Sequence, residues 1–134
     1  MPDDLILPEN LSKEALKEIF DNAFMETSFD KDGDLRVRDG NSCFVFPRED
    51  RIRLLSVWGF KPETPAQKRQ EFVEQVNKEF IMVRATVGPK DILFFDYDIS
   101  IRGGILKKML VLTTKRFLSI ARGAVQEYGS EIVE

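Results

Sequence analysis

The stretch "DKDGDLRVRDGNS", Asp30 to Ser42, sets three aspartates at alternate positions, the spacing with which a loop offers oxygen ligands to a hard cation such as calcium. An EF-hand loop counted from Asp30 needs a glycine at its sixth position and a bidentate glutamate at its twelfth. This chain has Leu35 and Asn41 there, and its glycine falls two places early, at Gly33. The Asp-Gly steps fit hairpin reversals instead, because glycine adopts the positive φ that a tight turn demands. Gly33 and Gly40 then bracket Leu35–Arg38 as a short strand, and no metal is expected at Asp30, Asp32 and Asp34.

A second acidic group, Asp96 and Asp98 with Ser100, alternates along one strand face. Hard cations need more oxygen ligands than this, so the pattern reads as the wet face of a half-buried strand. Phe94 shares that face and is a candidate for a contact patch. Nucleophilic chemistry is poorly supplied. The lone cysteine, Cys43, sits in "SCFVF", where a small apolar residue is expected, so it reads as a packed thiol. The chain has no histidine, which removes the commonest general base, the usual zinc ligand and the partner of a serine or cysteine nucleophile. No catalytic, cofactor-binding or metal-binding residue is assigned, and no cofactor is expected.

These residues belong to a chain of 134 residues and 15.5 kDa, a length that suits one domain with a real core. Hydrophobic content of 43% with 32% charged residues is that of a folded soluble protein. A net charge of −3 argues against a general appetite for polyanions. No apolar run approaches a membrane span. The start, MPDDLILPEN, is acidic where a signal peptide would be basic, so a cytoplasmic setting without membrane contact is expected.

Periodicity supplies the scaffold. Residues 1–10 read as an acidic, partly extended arm, and residues 11–134 as a single domain. "NLSKEALKEIFDNAF" carries Leu11, Ala15, Leu16, Ile19, Phe20 and Ala23 on one helical face, with Asn10 or Ser12 as its cap. Four β-prone runs follow, Met25–Phe29, Leu35–Arg38, Cys43–Phe46 and Arg51–Trp58, joined by turn-rich links. Such short links predict an antiparallel meander. Thr64, Pro65 and Gln67 predict a capping box for a second helix whose buried stripe is Phe72, Val73, Val76 and Phe80. A strand Ile81–Val87 with Ile81, Val83, Ala85 and Val87 inward comes next. "DILFFDYDIS" makes the last strand, with Leu93, Phe95, Tyr97 and Ile99 inward. A long helix runs from Ile105 to about Tyr128. The fold class is α+β in the order α-β-β-β-β-α-β-β-α, an antiparallel sheet with helices packed mainly on one face.

The last helix carries more apolar surface than one sheet can cover. Its core face is read as Leu106, Met109, Leu110, Phe117, Ala121 and Tyr128, among others, with a second stripe at Val111, Leu118 and Val125. Helix one could cover the surplus, or another subunit could. Beside it Lys108, Lys115 and Arg122 form a basic row, read as a solvated face in an acidic domain that offers it no interleaved aromatics.

The phrases "LSKEALKEIFDNAF", "FDKDGDLRVRDGNSCFVFPREDRIRLLSVWGF" and a helix ending "VNKEF" resemble the YbjN-like family, often labelled bacterial sensory transduction regulators. The resemblance runs from roughly Leu11 to Tyr128. That family is similar in fold to the class I type III secretion chaperones, small acidic α+β proteins that dimerise and bind partner polypeptides. The resemblance therefore implies a chaperone-like or regulatory, non-enzymatic protein-binding domain, and it carries over no catalytic residues. The other reading is a nucleic-acid-associated regulator using Lys108, Lys115 and Arg122. A homodimer is expected, its interface drawn from Val111, Leu118 and Val125 with Phe94 as a further contributor. A protein partner is also expected, and a nucleic acid is not.

Overall fold

The structure, a computed structural model, describes residues 4–134. A two-residue strand β1 (Leu5–Ile6) and a 3-10 turn at Pro8–Asn10 precede helix α1 (Lys13–Asn22). The Ser12 hydroxyl accepts the Ala15 amide at 3.0 Å and starts α1, while the Asn10 carboxamide closes the earlier turn on Leu7. Strands β2 (Glu26–Phe29), β3 (Leu35–Asp39), β4 (Asn41–Arg48) and β5 (Arg51–Gly59) follow. Helix α2 (Ala66–Glu79), β6 (Arg84–Val87), β7 (Ile92–Ser100), β8 (Ile105–Leu106) and α3 (Lys107–Tyr128) complete the chain.

Six strands form one antiparallel sheet in the order β2-β3-β4-β5-β7-β6. The first four are a meander, and β7 inserts between β5 and β6. The helices lie against one face, with α1 over β2–β4, α3 over β4 and β5, and α2 beside β6. Pairing register explains the choice of face. Val37 stands opposite Cys43, Val45 opposite Leu54 and Ser56 opposite Phe95, and all six are buried. Phe20 from α1, Phe72 from α2 and Phe117 from α3 seal this layer. Phe72 sits edge-on to both Phe60 and Phe95, with ring centroids 6.2 and 6.4 Å apart, an arrangement that suits the aromatic quadrupoles.

The order of elements is the one the sequence predicts, with two short strands added, β1 and β8, the second taking Ile105 and Leu106 from the expected start of the last helix. The arm does not hang free: Leu5 pairs with Leu106 and Ile6 with Ile105, and Ile6 is buried in the core. Residues 1–3 of the arm lie outside the described residues.

Two local expectations are corrected. Helix α2 begins at Ala66 with Pro65 at the cap position, and no side chain closes its end. The organiser is Arg69, only 8% exposed. Its guanidinium donates to the carbonyls of Thr64 and Lys90 at 3.0 and 2.8 Å, more weakly to those of Lys61 and Pro62, and to the Asp91 carboxylate at 2.9 Å. A tertiary network thus replaces the local cap. Ser12→Ala is therefore expected to cost about 1 kcal/mol of stability, and Thr64→Ala less than about 0.5 kcal/mol. Urea midpoints decide it: a loss for Thr64→Ala as large as for Ser12→Ala would restore the capping box.

The strand expected from Ile81 starts only at Arg84, because Met82 takes φ 60° and breaks the extended run. Ile81 is left 62% exposed rather than inward.

Candidate functional site

Asp30 is committed to its turn. One carboxylate oxygen accepts the amides of Asp32 and Asp34 at 3.0 and 2.9 Å, and Gly33 sits at φ 82° as the reversal requires. Lys13 reaches the Gly33 carbonyl at 2.8 Å and sets a positive charge against the loop. The three carboxylates do come within 4.8 Å of one another, so the sequence correctly marks them as a group.

Asp96 departs from its expected wet setting and is only 6% exposed. Arg53 donates to it at 2.6 Å, and Arg84 binds both its oxygens at 2.9 and 3.0 Å. Those bonds occupy the acceptor positions a cation would use, and they hold the Arg84 guanidinium above its ordinary pKa. Cys43 is a core residue whose burial pushes its thiol up to about 12. A thiolate reagent at pH 8 is expected to leave the folded protein untouched and to label one equivalent in denaturant; rapid labelling of the native protein would contradict this.

The residues predicted to form an interface separate in space. Leu118 has no exposed surface and belongs to the chain's own core, together with Leu110, Phe117 and Ala121. The physical reason is a rotation of α3 about its axis. Leu106 and Met109, expected inward, are about half exposed, and Tyr128 is exposed as well. Val125 is half-buried against the core, and Val111 reaches a groove described below. Phe94 projects from the opposite, helix-free face of the sheet, its ring held over Gly88. The basic row is broken too: Arg122 donates to the Asp39 carbonyl at 3.1 Å and to the Asn41 amide oxygen at 2.5 Å, tying α3 to the β3–β4 turn.

What the structure brings together instead is an apolar groove between α1, α3 and the arm, with a volume of about 490 Å³. Its walls include Leu5, Leu11, Ile19 and Ala23 on one side and Val111 and Leu112 on the other, with Lys107 and Lys108 on the α3 side. Leu112 is itself about half exposed, and so are Leu106 and Met109, six and three residues before it. At the end of α1, directly after the groove residue Ala23, Phe24 is 97% exposed. It also holds φ 63°, with its amide bonded to the Asp21 carbonyl and the next amide, Met25, bonded to Phe20. This is the helix-ending position that glycine usually fills. A large aromatic there is both strained and wet, two costs that a contact would offset. Sequence reading assigned Met109 and Leu106 inward and passed over Phe24. The signal available was an aromatic at the end of a helical run with no glycine after it.

A family model named YbjN, described as "Putative bacterial sensory transduction regulator", matches residues 12–132. The chain belongs to the YbjN family. Its fold is similar to that of "YbjN, a putative transcription regulator from E. coli", with a TM-score of 0.76 at 10% identity over 92% of this chain and 96% of that one. It is also similar to an uncharacterized protein from Methanothermobacter thermautotrophicus, with a TM-score of 0.64 at 17% identity over 90% and 99% of the two chains. At such identities the likeness to these two structures is one of fold. No curated protein matches the chain. YbjN family members are thus described as regulators, and no helix among the described residues is long and apolar enough to cross a membrane.

Proposed function

We propose that this YbjN-family domain is a non-enzymatic, cytoplasmic protein-binding module, chaperone-like or regulatory in kind, that holds an amphipathic segment of a partner polypeptide. The observation that carries the reading is the apolar α1–α3 groove together with three exposed apolar side chains outside its lining, Phe24 next to the wall residue Ala23 and Leu106 and Met109 at the start of α3. A small molecule would fill the groove and leave those side chains wet. A polypeptide helix would cover both with anchors spaced three and four residues apart. Lys107 and Lys108 on the α3 wall outnumber Glu18 on the α1 wall, which favours a partner with acidic residues flanking its apolar stripe on the α3 side.

The test uses two synthetic amphipathic helices with the same leucine stripe, flanked by glutamate in one and lysine in the other. Fluorescence anisotropy should show the acidic peptide binding several-fold more tightly, and Leu112→Glu should abolish it without lowering the melting temperature. Phe24→Gly is expected to weaken the peptide while raising stability by about 0.5–1 kcal/mol, since it relieves the left-handed backbone. Equal binding of both peptides, or binding insensitive to Leu112→Glu, overturns the groove. A wild-type dimer in light scattering that Leu112→Glu dissolves would show that a second copy occupies the surface instead.

A further inference from the structure

The helix-free face of the sheet has a composition unlike the rest of the chain. Three neighbouring strands carry the triplets Arg36-Val37-Arg38, Phe44-Val45-Phe46 and Arg51-Ile52-Arg53. In each the aliphatic residue is buried under the helices, so both flanking residues project to the open side. Register sets Arg36 opposite Phe44 and Phe46 opposite Arg53, which yields an aromatic pair between two arginine rows. Arg48 and Arg84 add to the same face. It therefore holds six of the chain's ten arginines, while no lysine lies on any of these six strands.

Against those six, the strands of this face present the carboxylates of Glu26, Asp96 and Asp98, leaving a local excess of positive charge on a chain of net charge −3. Asp96 and Asp98 engage Arg53, Asp96 also engages Arg84, and Glu26 lies 3.7 Å from Arg38. Arg36, Arg48 and Arg51 have no ion-pair partner among the described residues. Phe44 and Phe46 lie nearly parallel, their planes 16° apart and their centroids 5.8 Å apart. The Arg36 and Arg48 guanidinium groups rest over the two rings, at 5.5 and 4.9 Å.

We propose that this face binds single-stranded RNA. Arginine forks match phosphate oxygens in pairs, as lysine cannot, and flat aromatic and guanidinium surfaces on a sheet are stacking platforms for unpaired bases. A depression of about 280 Å³ beside the first arginine row is lined by Ser28, Ser42 and Glu26 as well as Arg36 and Arg38. Its hydroxyl and carboxylate oxygens are the groups that would accept a ribose 2′-hydroxyl. An acidic protein segment would satisfy the arginines, whereas the ring and guanidinium planes together suit a ligand that is flat as well as anionic. The surface lies on the opposite side of the sheet from the α1–α3 groove, so it stands or falls separately from the protein-binding reading.

The experiment is fluorescence anisotropy with a labelled 12-nucleotide oligouridine at low salt, against oligothymidine of the same length, a duplex RNA and a polyglutamate competitor. The oligouridine should bind saturably, with a log–log salt slope of about −2 for three neutralised phosphates. Phe46→Leu, which keeps an apolar side chain, should weaken binding roughly tenfold without changing that slope. Arg48→Gln should make the slope shallower by roughly 0.7. Lys115→Gln on α3 should change neither. Absence of saturable binding, a duplex or thymidine probe bound as tightly, polyglutamate competing mole for mole with RNA, or folded Phe46→Leu and Arg48→Gln variants that bind like wild type would each overturn the proposal.

Discussion

Arg69→Met is expected to lower the free energy of unfolding by about 2–4 kcal/mol, a large share of the stability of a domain this size. The guanidinium is nearly buried and has five acceptors: the Asp91 carboxylate and the carbonyls of Lys61, Pro62, Thr64 and Lys90. It also rests over the Phe60 ring at 5.0 Å, on an aromatic side chain with no exposed surface. Methionine fills most of the volume but leaves those carbonyls without a donor, and their desolvation is what makes the substitution costly. Arg69→Lys should recover little, since one ammonium cannot fan out to five acceptors in different directions. Urea melts of the three proteins measure this. A midpoint for Arg69→Met within error of wild type would show that water replaces the guanidinium without penalty.

The second large effect is at Leu118. Leu118→Ala should cost about 3 kcal/mol through the cavity it leaves, and Leu118→Glu should not fold at all. An ionised carboxylate at that position would lie in the core beside Phe117 and Ala121, with Arg122 one turn on already committed to Asp39 and Asn41, at a cost of several kcal/mol in addition to the lost packing. Circular dichroism should show Leu118→Glu without near-ultraviolet signal, while Leu112→Glu, six residues earlier on an exposed face, keeps it. A folded Leu118→Glu protein would mean that α3 is rotated back to the orientation its heptad spacing predicts.

That contrast shows where the sequence was legible. Two-residue alternation marks β5 and β7 almost to the residue and finds the middle half of β4, because a sheet covered on one side forces inward and outward positions to differ. Turn chemistry at Gly33 and Gly40 fixes the hairpins for an equally local reason. The orientation of α3 was not legible. Its apolar arc is so wide that several rotations bury a similar area, and only the positions of α1 and the sheet choose between them. Thr64 misled because Arg69 reaches as far as Asp91, twenty-two residues on, and no short window contains that network. Of the groove residues, Val111 is singled out by the sequence only as part of a dimer stripe, and Phe24 beside the groove is not singled out, since its meaning comes from a backbone angle. The arginine and phenylalanine triplets were readable all along as a repeated alternation across three strands.

The short ladder between β1 and β8 has a consequence for the order in which the molecule is completed. It joins residues roughly a hundred positions apart, and the chain must lose the entropy of that loop before the ladder contributes anything. The meander hairpins close over a few residues each, so they precede it. Leu5 and Ile6 also wall the α1–α3 groove. A ribosome-bound chain that has made all of the meander but not yet residues 105 and 106 therefore has no finished groove to offer. Completion of the groove is a late event in the life of each molecule, and a local opening of this seam would undo it while the rest of the sheet stays intact.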